Sequence, residues 1–282
     1  MVSFTDMPLD LVLELCRWMN RDALARISRT NKTLMTVVTP MLWRDIDFVA
    51  LRDEDIFNEK DIREEQARFF RACDQLMDTA PARWRELAGL VQRLRLVKTP
   101  SFRIPVDGGE NDAEWGWIYL MNRKKNATDR SIFHVFACLE NLEDLHFYIK
   151  ESLDGIDDKL ITIMQGALSN LKTVQIGGNL SAEIIQAILS QPETVESLTC
   201  INLQDGSAGQ EYHSTQPVVF HSIAHRFLRL EKLHLSMLAE LSGNGRDTGL
   251  RWEWDRENDS VCLEDWATLL KCVASTLAEL TL

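Results

Sequence analysis

His221 and His225 stand four residues apart, a spacing that on one helical face brings two imidazoles within reach of a single zinc ion. The residues between them lack the glutamate of an HExxH arrangement and no third ligand is marked, so the pair reads as surface or cap histidines. Gly177-Gly178-Asn179 and the Gly206 to Gly209 stretch match neither GxxxxGK[ST] nor GxGxxG, and they read as turns that come after strands. Six cysteines (Cys16, Cys73, Cys138, Cys200, Cys262 and Cys272) are scattered singly, most of them inside apolar patterns, without a CxxC pair or a nearby histidine that would mark a nucleophile. They are expected to be reduced core thiols, not nucleophiles. No GxSxG elbow is present for Ser/His/Asp chemistry. These residues predict a non-catalytic protein with no metal and no cofactor.

The bulk properties are those of an ordinary globular protein and argue against general disorder. The chain has 282 residues, 45% hydrophobic and 26% charged, enough to bury a sizeable core. Its formal net charge of -12 would repel a phosphate backbone, which argues against nucleic acid as a partner. The opening MVSFTDMPLD has no basic segment leading into an apolar run, and no window approaches the length needed to span a bilayer. The expectation is no membrane, a cytoplasmic or nuclear location, no disulfides, and no use of the sequons at Asn31, Asn126, Asn179 and Asn258.

The first element runs from Pro8, a residue suited to an opening helical turn, with Thr5 and Asp6 nearby as cap-type side chains. Leu11, Leu15, Trp18 and Met19, widened by Val12 and Cys16, predict one buried helical face. Asp22 is placed to cap a second helix carrying Leu24, Ile27, Leu34, Val37 and Val38, which Thr39-Pro40 should stop. Leu42 to Phe48 then alternates as a short strand does. Two helices this short need tertiary burial, on the rest of the chain or on a partner.

These residues resemble the F-box: Met7-Pro8 opening the first helix, Leu11 and Leu15 within it, Asp22-Ala23-Leu24 opening the second, and Leu42-Trp43-Arg44 at the close. Arg29 to Thr33 stands where the motif usually carries an aromatic, as in divergent fungal F-boxes. The resemblance implies a docking module for a Skp-type adaptor, and through it a cullin-RING ligase of the SCF class. Met7, Pro8, Leu11, Leu15, Leu24, Leu42 and Trp43 are the adaptor-facing or shape-giving positions it implies.

Residues 49–89 form a charged connector in which Ile62, Phe69, Phe70, Cys73, Leu76 and Met77 recur at helical spacing. A surface helix of about 15 to 18 residues ending before Pro81 is expected, with Trp84 and Leu87 tucking the connector into the C-terminal domain.

From residue 90 the template L-x-x-L-x-L recurs. It begins at Val91, Leu142, Leu171, Leu198, Leu230 and Leu277, with helical periodicity between copies at Ile156 to Leu168, Ser181 to Leu189, Val218 to Leu228 and Leu263 to Val273. The longer intervals require insertions at about 98–131 and 236–262, which carry Trp115, Trp117, Trp252 and Trp254 and read as strand hairpins. The serial copies resemble an irregular leucine-rich repeat domain, as in F-box/LRR proteins. The fold class expected is therefore α/β: a small helical F-box over 1–48, the connector, and a solenoid over 90–282 with a parallel sheet on its concave face.

The function this implies is the substrate-recognition subunit of an SCF-type ubiquitin ligase, with an unknown protein as substrate. Arg93, Arg95, Asp144, His146, Thr173, Gln175, Asn202, Lys232 and His234 lie between the inward leucines and should meet that substrate. The alternative is a non-ligase LRR scaffold whose N-terminal helices only cap the solenoid. The chain reaches Leu282 inside the strand template without a polar capping repeat, which predicts a truncated chain or an edge prone to pairing.

Overall fold

A computed structural model of the chain describes residues 7–48, 59–99, 132–149, 168–204, 218–236 and 256–282. The architecture is mixed α/β. Strands β1 (Asp45–Asp47), β2 (Arg93–Thr99), β3 (Asp144–Ile149), β4 (Thr173–Asn179), β5 (Ser197–Gln204), β6 (Lys232–Ser236) and β7 (Glu279–Thr281) form one parallel sheet in chain order. The paired tryptophans at 115, 117, 252 and 254, the Gly206 to Gly209 stretch and the helical stripe from Ile156 lie outside the described residues, as do Thr5 and Asp6.

The same bond repeats at the start of successive strands. The Gln92 carbonyl accepts the N–H groups of Glu143 and Asp144, Glu143 those of Lys172 and Thr173, and Lys172 those of Glu196 and Ser197. Glu196 likewise accepts from Glu231 and Lys232, and Glu231 from Ala278 and Glu279, at 2.8–3.0 Å. Behind this clamp an apolar row crosses the whole sheet in register: Ile46, Leu94, Leu145, Val174, Leu198, Leu233 and Leu280. All but Leu280 are buried. Side chains tie neighbouring units where the clamp begins: Asn141 Nδ2 donates to the Gly89 carbonyl and Asn170 Nδ2 to that of Glu140, both at 2.7 Å.

This register corrects the fourth copy of the template. Val174 pairs with Leu198, so Leu198 is the middle residue of its unit and not the first. The unit reads Val195-x-x-Leu198-x-Cys200, and all three are buried. The chain arrives there through a 3-10 turn at Pro192–Thr194, and Thr194 Oγ1 donates to the Leu171 carbonyl at 2.8 Å. Gly177 and Gly178 also differ from expectation, since both belong to β4 and not to a turn beyond it.

Helices pack the apolar side of the sheet. The described ones are α4 (Glu59–Thr79), α5 (Pro81–Ala88), α6 (Ile132–Phe136), α7 (Ala182–Ile188), α8 (Phe220–Ile223) and α9 (Arg256–Val273). They supply Phe70, Trp84, Phe136, Ile184, Ile188, Phe220 and Leu269 to a single core with the strand leucines. α4 has 21 residues, longer than its apolar spacing suggested, and ends at Thr79 before Pro81 as expected. No helix among the described residues is long and apolar enough to cross a membrane.

The N-terminal segment forms three helices, not two: α1 (Leu9–Arg17), α2 (Arg21–Ser28) and α3 (Lys32–Arg44). Asparagines set the boundaries. Asn20 accepts the Ala23 N–H at 2.8 Å and Asn31 the Leu34 N–H at 2.7 Å, so Asp22 lies inside the first turn of α2 and is not its cap. Pro40 does not stop α3. It sits inside the helix, where its ring costs one backbone bond. The turns on either side are held by Val38, Met41 and Leu42 packing onto α1 and α2 residues. The expected strand from Leu42 is consequently reduced to Asp45–Asp47.

Among the described residues the buried polar or charged side chains are Gln66 and Asp265, and the second acts as a bracket. Asp265 of α9 is 3% exposed, and its Oδ2 accepts the N–H groups of Val219 and Phe220 at 2.9 Å each. Its Oδ1 accepts that of His221. One carboxylate thus caps α8 from a helix more than forty residues away. Asp265→Ala would leave two buried donors, the Val219 and Phe220 N–H groups, and the part-buried His221 N–H without their acceptor, and is expected to cost about 3 kcal/mol in denaturant unfolding. Asp265→Asn, which keeps the volume but presents an amide to N–H donors, is expected to recover only part of that loss.

Candidate functional site

Two surfaces emerge from this framework. The first is α1, whose two faces are unequal. Val12 and Cys16 are 4% and 0% exposed, packed with Leu24, Leu34 and Val38 in a small second core. Burial there pushes the Cys16 thiol up from its ordinary value. Leu11, Leu15 and Trp18 are 53%, 39% and 81% exposed, so the stripe expected to be buried is the outer one. The correction stems from the closeness of α2 and α3, which meet α1 along Val12, Cys16 and Met19. Leu11, Leu15 and Trp18 thus leave an apolar stripe along the outer side of α1.

The sequence-derived adaptor positions therefore divide. Pro8, Leu11 and Leu15 are exposed and Met7 is partly so. Leu24 is buried, and Leu42 packs against the small core. Trp43 belongs to the large core instead, its ring 6.1 Å from Phe69 and 6.4 Å from Trp84. α3 thus places adjacent residues in two different cores. Arg21 adds a second tie, its Nη1 donating to the Asp45 carbonyl at 3.2 Å. Desolvation lowers the Arg21 guanidinium from its ordinary value, while Asp47, Asp45 and Glu65 act to raise it.

The second surface is the polar face of the sheet. Strand alternation sends every second residue away from the core, and the parallel register lines these up across all strands. One row is Asp45, Arg93, Asp144, Thr173, Ser197, Lys232 and Glu279, and the next is Asp47, Arg95, His146, Gln175, Thr199, His234 and Thr281. Eight of the nine expected substrate-facing residues come together here. Asn202 does not join either row: it falls between Ile201 and Leu203, where the register with β4 shifts. Sequence reasoning missed Ser197 and Thr199 because the fourth template was set three residues late. It missed Asp45 and Asp47 because β1 was not assigned to the sheet.

The charges on this face are concentrated and compensated at the β1–β3 end. Arg93 Nε donates to Asp144 Oδ2 at 2.8 Å, and its Nη1 lies 3.5 Å from Asp45 Oδ1. Arg95 reaches Asp47 Oδ2 at 3.4 Å and Asp144 Oδ2 at 3.2 Å. His146 Nε2 lies 3.1 Å from Asp144 Oδ1. Burial alone would raise the Asp144 carboxyl, but His146, Arg93 and Arg95 outweigh it and hold it at about 2. At the far end Lys232 pairs with Glu279 at 3.5 Å. Between them the two rows carry Thr173, Gln175, Ser197 and Thr199, all half-buried and uncharged.

Of the remaining motifs, His221 lies in α8 and His225 in the 3-10 turn directly after it, so the two share no regular α-helical face. Both are exposed. Cys73 is buried in the large core, and its thiol is raised by desolvation, with Cys138 and Asp74 adding to the effect. No group of three or more His, Cys, Asp or Glu able to hold a metal occurs among the described residues. No protein-family model matches the chain, and no curated protein matches it.

The Asp144 cluster has a direct consequence for acid stability. A carboxyl held at about 2, below its ordinary unfolded value near 4, contributes stability above that value and loses it as pH falls through about 4 to about 2. With solvent screening the contribution at neutral pH is about 1–2 kcal/mol. Urea unfolding of Asp144→Asn from pH 7 to pH 2 is expected to show lower stability at pH 7 and a shallower acid slope. An unchanged slope between pH 4 and 2 would exclude Asp144 as the coupled group.

Proposed function

We propose that the chain is the substrate receptor of an SCF-type ubiquitin ligase, a divergent F-box joined to a leucine-rich-repeat solenoid with the parallel sheet on its concave side. In this reading the chain does no bond chemistry, acts in the cytoplasm or nucleus, and recruits a cullin-RING ligase through a Skp-type adaptor. Its contribution is effective concentration, holding a bound protein near a ubiquitin-charged enzyme. The observation that carries the reading is the division of α1: one face is consumed by α2 and α3, while Leu11 and Leu15, where the F-box resemblance expects an adaptor, remain exposed with Trp18 beside them. Support for the repeat domain comes from the delivery of one strand per unit, in chain order, into a wholly parallel sheet.

A second reading, a non-ligase scaffold whose helices cap the first sheet edge, has its own support in Trp43 and Arg21. Trp43 anchors α3 in the large core, and Arg21 bonds the backbone of the outermost strand. Capping explains α2 and α3, but leaves the exposed side of α1 without a role.

The two readings part on one measurement. A Leu11→Asp/Leu15→Asp variant is expected to weaken binding to a Skp-type adaptor by about a hundredfold or more in titration calorimetry, with Tm nearly unchanged because both side chains are exposed. Leu42→Asp is expected to lose adaptor binding only together with stability, by about 3 kcal/mol, because Leu42 packs on the small core. Failure of the intact, folded chain to bind any Skp-type adaptor would leave the scaffold reading standing.

A further inference from the structure

We propose that Thr173, Gln175, Ser197 and Thr199, with the Tyr148 ring beside them, form a docking site for an extended, uncharged polar segment of a protein substrate. This rests on the receptor reading above and names the kind of segment that the sheet would accept. The four side chains occupy two adjacent strands and two adjacent rows, Thr173 beside Ser197 and Gln175 beside Thr199. They are half-buried, and none makes a side-chain hydrogen bond to another described residue. Partly desolvated hydroxyls and amides without internal partners favour a ligand that brings its own donors and acceptors.

Charge decides which ligand. The arginines on this face already hold Asp45, Asp47 and Asp144, and Lys232 holds Glu279. A phosphorylated or acidic segment would have to break those pairs and then lie beside the displaced carboxylates. A basic segment would have to displace a guanidinium from the same carboxylates. A neutral segment over the central square disturbs neither, which is the complementarity that commits the site to an uncharged occupant.

The next step along the strands changes character. Gly177 pairs with Tyr148 and Ile201, and a Cβ at position 177 would lie 2.7 Å from Tyr148 Cδ2. The Tyr148 ring therefore occupies the space that any side chain at 177 would need. Successive rows are about 6.6 Å apart along a strand, the same distance as alternate residues of an extended peptide. A segment laid along β4 and β5 would set one residue over each polar row and the next alternate residue on Tyr148 and Ile201. The pattern read by the site is uncharged polar, any, uncharged polar, any, apolar, in either chain direction.

The test pans a random dodecapeptide display library on the full chain without adaptor, so that its outcome is independent of adaptor binding. The expected result is enrichment of that spaced, uncharged pattern. The best synthetic peptide should bind Thr199→Glu and Tyr148→Ala at least about tenfold more weakly, while both variants keep adaptor affinity. A phosphoserine version of the peptide should bind the wild-type chain at least about tenfold more weakly, an arm that needs no variant to fold. Enrichment of charged sequences, no enrichment over a blank surface, unchanged binding to both variants, or equal affinity for the phosphorylated peptide would each overturn the proposal.

Discussion

The two N–H groups that converge on one carbonyl at the start of successive strands hold the rest of the molecule in register. A parallel pair has no tight turn to set its alignment, so something at the strand start must do so. Here the Gln92, Glu143, Lys172, Glu196 and Glu231 carbonyls do it in series. A slip of one residue at any of them would send Leu94, Leu145, Val174, Leu198 or Leu233 to the polar face and a charged or hydroxylated neighbour into the core. The buried leucine row and the polar rows are therefore two readings of the same constraint.

α3 has the second governing role. Leu42 and Trp43 are adjacent in the chain, yet they pack into different cores, the first with α1 and α2 and the second with Phe69 and Trp84. Edge and tilted ring contacts then extend from Trp43 through Phe69 to Phe48 and Phe70. The cost of Pro40 inside α3 is offset by packing on both sides of it, so that the helix has more reason to continue than the proline has to end it.

Much of this was legible because apolar spacing and strand templates report local burial directly. The units starting at Val91, Leu142, Leu171, Leu230 and Leu277 matched strands in register, as did the end of α4 before Pro81. The features that were not legible depend on neighbours distant in sequence. The stripe Leu11, Leu15 and Trp18 is as helical as Val12, Cys16 and Met19, and only the position of α2 and α3 decides which is covered. Leu198-x-x-Ile201-x-Leu203 fits the template as well as Val195-x-x-Leu198-x-Cys200 does, and pairing with Val174 separates them. Asp265 gave no signal, since its donors lie in another element altogether. The uncharged square was hidden by the same three-residue offset, because Ser197 and Thr199 enter it only when the fourth unit is in register.

α3 ends at Arg44 and β1 begins at Asp45, with no residue between them. A flexible tether would let two bound bodies search a volume set by chain statistics. A helix continuous with a strand, and locked by an aromatic cluster at the junction, sets a vector instead. Under the receptor reading proposed above, a body on α1 and a body on the sheet would be related by a fixed bearing and range, and a protein held at one could present to the other only the part of its surface that lies along that line of sight.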